Sequence, residues 1–229
     1  MGRTDDRARP EDYSSLADAR DVATILPALG IDRAVILGRG HGGQVAMALA
    51  MDHPLLVAGT VLLDAGPVTD SRGIVRLRNN LKHVESLRGG KFVTAGFRRM
   101  LSGDYPSLPE ARLDALMGRS HTIDRRGQAR PLYDARLIDA LGSINFDDVL
   151  VAQWPLFDAA LRAANAATHA IDRSIAARDL DEMQRRRPDA VALTIAGQGS
   201  PALFDQRDEI EAVAEFVIRT SRAVLGRAA

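Results

Sequence analysis

Apolar and polar residues alternate in blocks along the first quarter of the chain, and these blocks predict a helix, a strand, a second helix and a second strand. Apolar positions at helical spacing predict a helix over residues 15–29, which Gly30 ends. Two wholly apolar runs, one from Ala34 to Leu37 and one over Val57–Leu63, predict strands buried on both faces. A helix-forming segment that ends near His53 separates them, so we expect a strand–helix–strand unit with parallel strands.

The pattern in the remainder of the chain predicts mainly helices. Residues 70–148 are amphipathic with short Gly and Pro breaks, which predicts a helical insertion, and residues 122–134 predict a short hairpin or loop within it. A further segment, rich in alanine, begins at Trp154 and continues to Pro188, and the run from Ala190 to Ile195 predicts a third strand. Residues 206–225 predict a final helix, whose apolar face holds Ile210, Val213, Ala214, Val217 and Ile218.

Composition narrows the class of protein. The chain has 229 residues, 46% of them hydrophobic, which predicts one domain or a domain with a small cap. Thirty basic and thirty acidic residues cancel, which argues against a nucleic-acid partner because no net positive charge attracts phosphates. No apolar run approaches the roughly 20 residues of a membrane span, and the charged N-terminus is unlike a signal peptide. The chain has no cysteine, and therefore no disulfide, no thiol nucleophile and no cysteine metal site. We expect a cytoplasmic protein without a metal or a cofactor.

A glycine-rich turn lies between the first predicted strand and the second predicted helix. The sequence Gly38-Arg-Gly40-His-Gly-Gly43 fits two known elements. One is the strained G-x-S-x-G turn that presents a catalytic serine, and here Gly40 stands at the serine position. The other is the G-x-G-x-x-G phosphate loop of dinucleotide-binding folds, and Asp64 ends the next strand, where a ribose-binding acid belongs.

Backbone groups at the turn predict an anion-binding position in either case. The first N–H groups of a helix have no partner within the helix, and they attract negative charge. Here these groups belong to His41, Gly42 and Gly43, with Arg39 beside them. The His41 side chain leaves the helix start in a different direction from a nucleophile, so we predict an exposed histidine there.

The turn and a series of later segments together resemble the α/β-hydrolase family. The resemblance covers nearly the whole chain and implies a short parallel sheet flanked by helices, a partial α/β-hydrolase fold. It implies an α/β core formed by residues 1–69 and 149–229, and a helical cap formed by residues 70–148. The landmarks that carry it, in chain order, are Gly2-Arg-Thr-Asp-Asp6, Leu29 to Gly38, Val61-Leu-Leu-Asp-Ala-Gly-Pro67, Tyr133-Asp134, Trp154-Pro-Leu-Phe157, Met183-Gln-Arg-Arg-Arg-Pro-Asp189 and Ile195-Ala-Gly-Gln-Gly199.

Departures from the family pattern fall on the catalytic positions. The family's serine corresponds to Gly40, its histidine to Ser200, and its acid to Asp172 as the nearest candidate. Ester or amide hydrolysis in this fold needs a nucleophile and a base. The resemblance therefore implies an ester or acyl ligand and a weak or inactive enzyme. The alternatives are a non-catalytic binding or interaction protein and, third, a nucleotide-binding protein.

The resemblance also implies that the family's first four strands lie outside this sequence, together with one oxyanion-hole N–H. The strand from Ala34 to Leu37 would then be an edge strand, with unpaired N–H and C=O groups. We expect a second copy of the chain, or a partner, to cover it. The family's penultimate strand is also altered, because the alanine-rich stretch from Ala159 to His169 favours helix.

Overall fold

The computed structural model describes residues 13–144, 152–163, 169–171, 177–188, 190–193, 203 and 206–225. The helices of these ranges are α1 (Ser15–Ala28), α2 (His41–Asp52), α3 (Ser71–Ser86), α4 (Gly90–Asp104), α5 (Glu110–Ser120), α6 (Arg136–Ala140), α7 (Trp154–Ala163), α8 (Ala177–Arg186) and α9 (Arg207–Leu225). The strands are β1 (Ala34–Arg39), β2 (Val57–Leu63), β3 (His121–Ile123), β4 (Ala129–Pro131), β5 (His169–Ile171) and β6 (Ala192–Leu193). None of these helices combines the length and the apolar character that crossing a membrane requires.

The first helix begins and ends where the sequence predicts. The Ser14 hydroxyl accepts a hydrogen bond from the Ala17 N–H at 3.2 Å, and so satisfies one of the free N–H groups of the first turn. The chain leaves α1 through Gly30, whose φ of 71° is a left-handed conformation that glycine adopts without steric cost. The bounds of α2 and β2 are likewise confirmed.

Four parallel strands form the main sheet in the order β1-β2-β5-β6. Val35 pairs with Gly59, and Val61 pairs with His169. Every residue of β2 is buried. One face of this region packs in a core with α2 and α7, and the other packs against Phe216 of α9. The arrangement is a short parallel sheet covered by helices on both faces.

Strand β1 is less buried than its sequence predicts, and that prediction is wrong. Val35 and Ile36 pack partly into the cores on opposite faces, but Leu37 is 51% exposed. The reason is position, because β1 ends the order of the described strands and pairs with β2 on one side only. An apolar run shows that a strand can be buried but does not show which neighbours will cover it.

The predictions for the second half of the chain are confirmed only in part. The stretch from Ala159 to His169 predicts helix, and α7 is helical as far as Ala163, whereas His169 begins β5, which pairs with β2. The predicted apolar face of α9 is rotated, since Phe216 and Thr220 are buried while Ile210 and Ile218 are each 50% exposed. Strand β6 falls within the predicted third strand, of which residues 194 and 195 lie outside the described ranges.

The described chain divides into two compact units. The sheet unit contains residues 14–69 and the described residues from 152 onward. The helical unit contains Tyr13 and residues 70–144, with α3 to α6 and an antiparallel hairpin of β3 and β4. Gly127 makes the hairpin turn with a φ of 70°, and so the hairpin predicted for residues 122–134 is confirmed. The core of the helical unit consists of Val84, Val93, Phe97 and Ala129.

Candidate functional site

The candidate site is the glycine turn, where β1 ends and α2 begins. Gly40 is the N-cap of α2 and has φ 51° and ψ −116°, a conformation that strains any residue with a Cβ. Its N–H donates to the Leu63 carbonyl at 2.9 Å, and its own carbonyl accepts from the Gly43 N–H at 2.9 Å. These two hydrogen bonds fix the tip of the turn to β2 on one side and to α2 on the other.

At two positions of the turn, glycine is required because other atoms lie too close for a Cβ, and not because of the φ angle. A Cβ on Gly38 would lie 2.2 Å from the Gly42 carbonyl oxygen, and a Cβ on Gly43 would lie 2.2 Å from the Ala65 Cβ. Either contact would force the backbone apart. Around Gly40 and Gly42, by contrast, an added Cβ would meet no atom of the described residues within 4 Å apart from the adjacent backbone. The turn therefore has space for a side chain at Gly40, the position where the serine pattern places its nucleophile.

Side chains beside the turn face outward. The His41 ring is exposed and its Nε2 lies 2.8 Å from Asp18 Oδ2 of α1, an ion pair when the ring is protonated. Arg39 is exposed and is not paired with any carboxylate of the described ranges. Gln44 donates from Nε2 to the Gly66 carbonyl at 2.6 Å and so ties α2 to the loop after β2. The sequence carries no signal for the His41–Asp18 contact, which joins two helices.

Asp64 follows β2 directly and has a φ of 46°, a conformation uncommon outside glycine. Since β1 and β2 are neighbours, this residue lies at the same carboxyl end of the sheet as the turn. That is the edge where a dinucleotide-binding fold places its ribose acid. Close packing at Gly43 against Ala65 is compatible with both elements that the glycine pattern predicts, so the packing does not separate them.

The remaining predicted catalytic positions, Asp172 and Ser200, lie outside the described residues. Of the site residues predicted from the sequence, the structure brings together Arg39, Gly40, His41, Gly42 and Gly43. Within residues 38–43 of the turn, no side-chain hydroxyl, thiol or carboxylate replaces the missing serine. Among the described residues, no three histidine, aspartate or glutamate side chains gather in a way that could hold a metal ion.

A second polar cluster, which the sequence does not predict, lies buried in the helical unit. His121 is 1% exposed, its Nδ1 lies 2.9 Å from the Ser120 hydroxyl, and its Nε2 lies 3.3 Å from the Tyr133 hydroxyl. The Phe97 ring is 4.7 Å from the His121 ring. Burial lowers the pKa of His121 to about 4, because the charged ring would lose its water.

Two carboxyl groups, Glu85 and Asp134, lie beside this cluster, and their pKa values are shifted in opposite directions. Burial, and secondarily the nearby Asp139 charge, raise the pKa of Glu85, and its buried Oε1 has no hydrogen-bond partner among the described residues. Hydrogen bonds from Arg136 and from the Tyr13 hydroxyl, the latter 2.6 Å long, hold the pKa of Asp134 well below its usual range. The burial of the cluster and the neutral state of His121 indicate a structural role in the helical unit.

The chain is similar in sequence to several known proteins. A family model described as alpha/beta hydrolase fold matches residues 1–130 of the chain. A putative carbamate hydrolase of Serratia proteamaculans is 35% identical over 63 residues, which are 28% of this chain and 24% of that protein. The mouse sn-1-specific diacylglycerol lipase ABHD11 is 35% identical over 68 residues, 30% of this chain and 22% of that protein. The match with each of these relatives thus spans about a quarter of the relative's length.

Solved structures match over nearly the whole chain. An alpha/beta hydrolase from Novosphingobium aromaticivorans superposes with a TM-score of 0.79 at 22% identity, over 95% of this chain and 76% of that one. Identity at this level shows the fold alone. The family model covers more than half of the 229 residues, and the turn has the strand–glycine–helix form of that fold. The chain belongs to the alpha/beta hydrolase fold family.

Proposed function

We propose that this α/β-hydrolase-fold protein binds an ester or acyl ligand at its glycine turn but forms no serine acyl-enzyme. One observation carries the proposal. Gly40 occupies the tip of the turn with the backbone conformation of a strained nucleophile position, and it has only a hydrogen atom as its side chain. Covalent catalysis by this fold requires a hydroxyl at that point. Such a protein is a weak or inactive hydrolase.

The turn nevertheless presents one of the two backbone contributions by which this fold polarises a carbonyl. Helix α2 begins at the tip, so its first N–H groups and its dipole favour a carbonyl or carboxylate oxygen there. Gly42 leaves space on this side, and Arg39 adds an exposed positive charge. An acyl ligand would find partners for its oxygen without meeting a nucleophile. We propose backbone binding at His41 and Gly42 on this basis. Gly43, which the sequence also predicts as a donor, is already engaged, because its N–H donates to the Gly40 carbonyl.

The residues at the positions of the catalytic base and acid also support an inactive site. Ser200 stands where the resemblance places the histidine, and a serine hydroxyl cannot accept a proton near neutral pH. Asp172 is the candidate acid, and without a histidine it has no imidazole to orient. His41 does not substitute for the base in this proposal, because its exposed ring is directed toward Asp18 of α1 and away from the tip of the turn.

The test is an esterase assay joined to covalent labelling. The purified chain is given p-nitrophenyl acetate and, separately, a fluorophosphonate probe that labels activated serines. We expect neither turnover above the buffer rate nor labelling. Gly40→Ser should also give neither, because the base is still missing. Turnover in the unchanged chain that is lost in His41→Ala or Asp172→Asn would show a rebuilt active site and would overturn the proposal.

Ligand binding is measured on the same preparation. Saturable binding of a short acyl compound, which weakens when a bulky side chain is placed at Gly42 (Gly42→Leu), would support the binding part of the proposal. Saturable binding of a dinucleotide instead would favour the phosphate-loop alternative, in which Gly38, Gly40 and Gly43 form the loop and Asp64 binds the ribose. A matched substitution away from the turn, Leu55→Ala on a side chain 86% exposed, serves as the control.

The edge of β1 supports a second candidate function, self-association. Within the described ranges no strand pairs with the outer edge of β1, and Leu37 is half exposed there. We propose that two copies pair through this edge, since antiparallel pairing of identical strands satisfies both sets of backbone groups around a two-fold axis. Size-exclusion chromatography with light scattering should show a dimer that Leu37→Lys converts to monomer. A monomeric unchanged chain would exclude this interface.

A further inference from the structure

A groove of about 510 Å³ runs between α3 and α4 in the helical unit. Only residues 87–89 separate the two helices, so they lie side by side as an antiparallel hairpin. Gly96 allows this close approach, since a Cβ there would lie 2.5 Å from Leu87 Cδ1. Side chains from one face of each helix line the groove, among them Arg76, Asn80, His83, Phe92, Arg99 and Met100.

The polar lining of the groove consists mainly of donors that have no partner. In the described part of the chain, the side chains of Asn80, His83 and Arg99 make no hydrogen bond or ion pair with the protein. Asp104 is the one acidic residue in the lining, and Arg76 Nη2 lies 3.4 Å from its Oδ1. Arg99 is therefore a positive charge without a counter-ion, and its guanidinium offers several N–H donors to an anion.

Apolar groups line the groove beside these donors. Phe92 is 72% exposed, although a phenyl ring gains about 25 cal/mol for each Å² that it removes from water. Leu87 and Met100 continue the apolar surface along the same groove. Because α3 and α4 are antiparallel, Phe92 lies near the end of the groove formed by Leu87, whereas Arg76 and Asp104 lie at the opposite end. One groove thus combines an unpaired cation with an apolar wall.

We propose that this groove binds a medium-chain alkyl carboxylate, with the carboxylate at Arg99 and the chain along Phe92. The volume falls within the 300–1,000 Å³ that small-molecule sites occupy. A planar carboxylate matches the guanidinium fork, and a flexible alkyl chain covers the exposed ring. An inorganic anion would leave Phe92 in water, and a neutral alkane would leave Arg99 unpaired. The site lies wholly in the helical unit and does not depend on the function proposed for the glycine turn.

Calorimetric titration of the full chain with decanoate, below its micelle-forming concentration, tests the proposal. We expect saturable binding with one site per chain. Acetate, which has the carboxylate but not the chain, and decanol, which has the chain but not the charge, should each bind at least tenfold more weakly. Equal binding of decanol, or no saturable binding of decanoate, would overturn the proposal.

Single substitutions then locate the site. Arg99→Gln and Phe92→Ala change exposed side chains, so both variants should fold, and each should weaken decanoate binding about tenfold. Arg125→Gln and Leu77→Ala are the matched controls, a charge and an apolar side chain that are exposed in the same unit but lie outside the groove. Binding should be unchanged in both controls. A loss that is equal in the controls, or binding retained in Arg99→Gln, would contradict the assignment.

Discussion

The glycine turn of the sheet unit and the His121 cluster of the helical unit depend on different interactions. At the turn, backbone groups determine the arrangement, and the side chains of Arg39 and His41 face water. In the cluster, the backbone is ordinary hairpin, and a buried imidazole is held by Ser120 and Tyr133. The turn is limited by space between backbone atoms, whereas the cluster is limited by the cost of burying charge. Changes in residue size should therefore disrupt the first region, and changes in pH the second.

The largest expected effect comes from adding a methyl group at Gly38. Gly38→Ala places a Cβ 2.2 Å from the Gly42 carbonyl oxygen, so the backbone of the turn must move. We expect a loss of about 3 kcal/mol or more in the free energy of unfolding, measured by urea denaturation. Gly42→Ala is the matched control in the same turn, because its Cβ meets no atom within 4 Å. Equal stability of the two variants would show that close approach does not determine the turn.

Acid should destabilise the protein through His121. The pKa of this ring is about 4 in the folded chain and about 6.5 when the ring is exposed, so between these values the unfolded state binds more protons. Stability is therefore full above pH 6.5 and falls as the pH drops toward 4, by up to about 3 kcal/mol. Urea titrations at a series of pH values measure this slope.

Two variants separate His121 from other titrating groups. His121→Phe should remove most of the pH dependence between 4 and 6.5, whereas His83→Gln should keep it because the His83 side chain is exposed. A slope that persists in His121→Phe would assign the effect to other groups, such as the carboxylates held by Arg136 and Arg98.

Substitution at the tip of the turn should have a smaller effect than at Gly38. Gly40→Ser introduces a Cβ at φ 51°, which costs about 1–3 kcal/mol in strain, but open space surrounds the new side chain. Gly40→Ala should lose the same amount, which separates strain from any effect of the hydroxyl. Thermal or urea denaturation of both variants gives the comparison. A serine variant as stable as the unchanged chain would mean that the turn relaxes around a side chain.

The smallest effect is expected for the exposed histidine. His41 and Asp18 form a partly solvated pair, and such pairs contribute roughly 0.5 kcal/mol. A double-mutant cycle with His41→Ala and Asp18→Ala measures the coupling. Coupling above about 2 kcal/mol would place His41 in the same class as His121 and would remove the contrast between the two regions.

The sequence predicts the elements around the turn well because their signals are local. Helix α1 has its own cap, β2 is a continuous apolar run, and the turn between β1 and α2 carries its glycines in order. Close approach at Gly38 involves Gly42, a neighbour in sequence, so the glycine pattern already contains it, whereas Gly43 meets Ala65 from the loop after β2. The resemblance to the α/β-hydrolase family predicts the fold of the rest of the chain.

Features that depend on distant residues could not be predicted in the same way. Strand β5 has three residues and exists through its pairing with β2. The burial of His121 needs Phe97 and Tyr133, which the chain brings from a helix and a loop. The resemblance predicts an edge position for β1, but the exposure of Leu37 depends on which elements cover the strand and not on any property of that residue.

The parallel pairing of β1 with β2 also has a consequence for the order of folding. Their paired residues, such as Val35 and Gly59, are joined through one helix, whereas Val61 finds His169 about a hundred residues later. Closing the shorter loop costs less chain entropy. The segment from β1 to β2 is therefore suited to form first, during synthesis, and to act as the template on which β5 and β6 later assemble. A protein that assembles in this way completes its glycine turn before β5 and β6 have been synthesised.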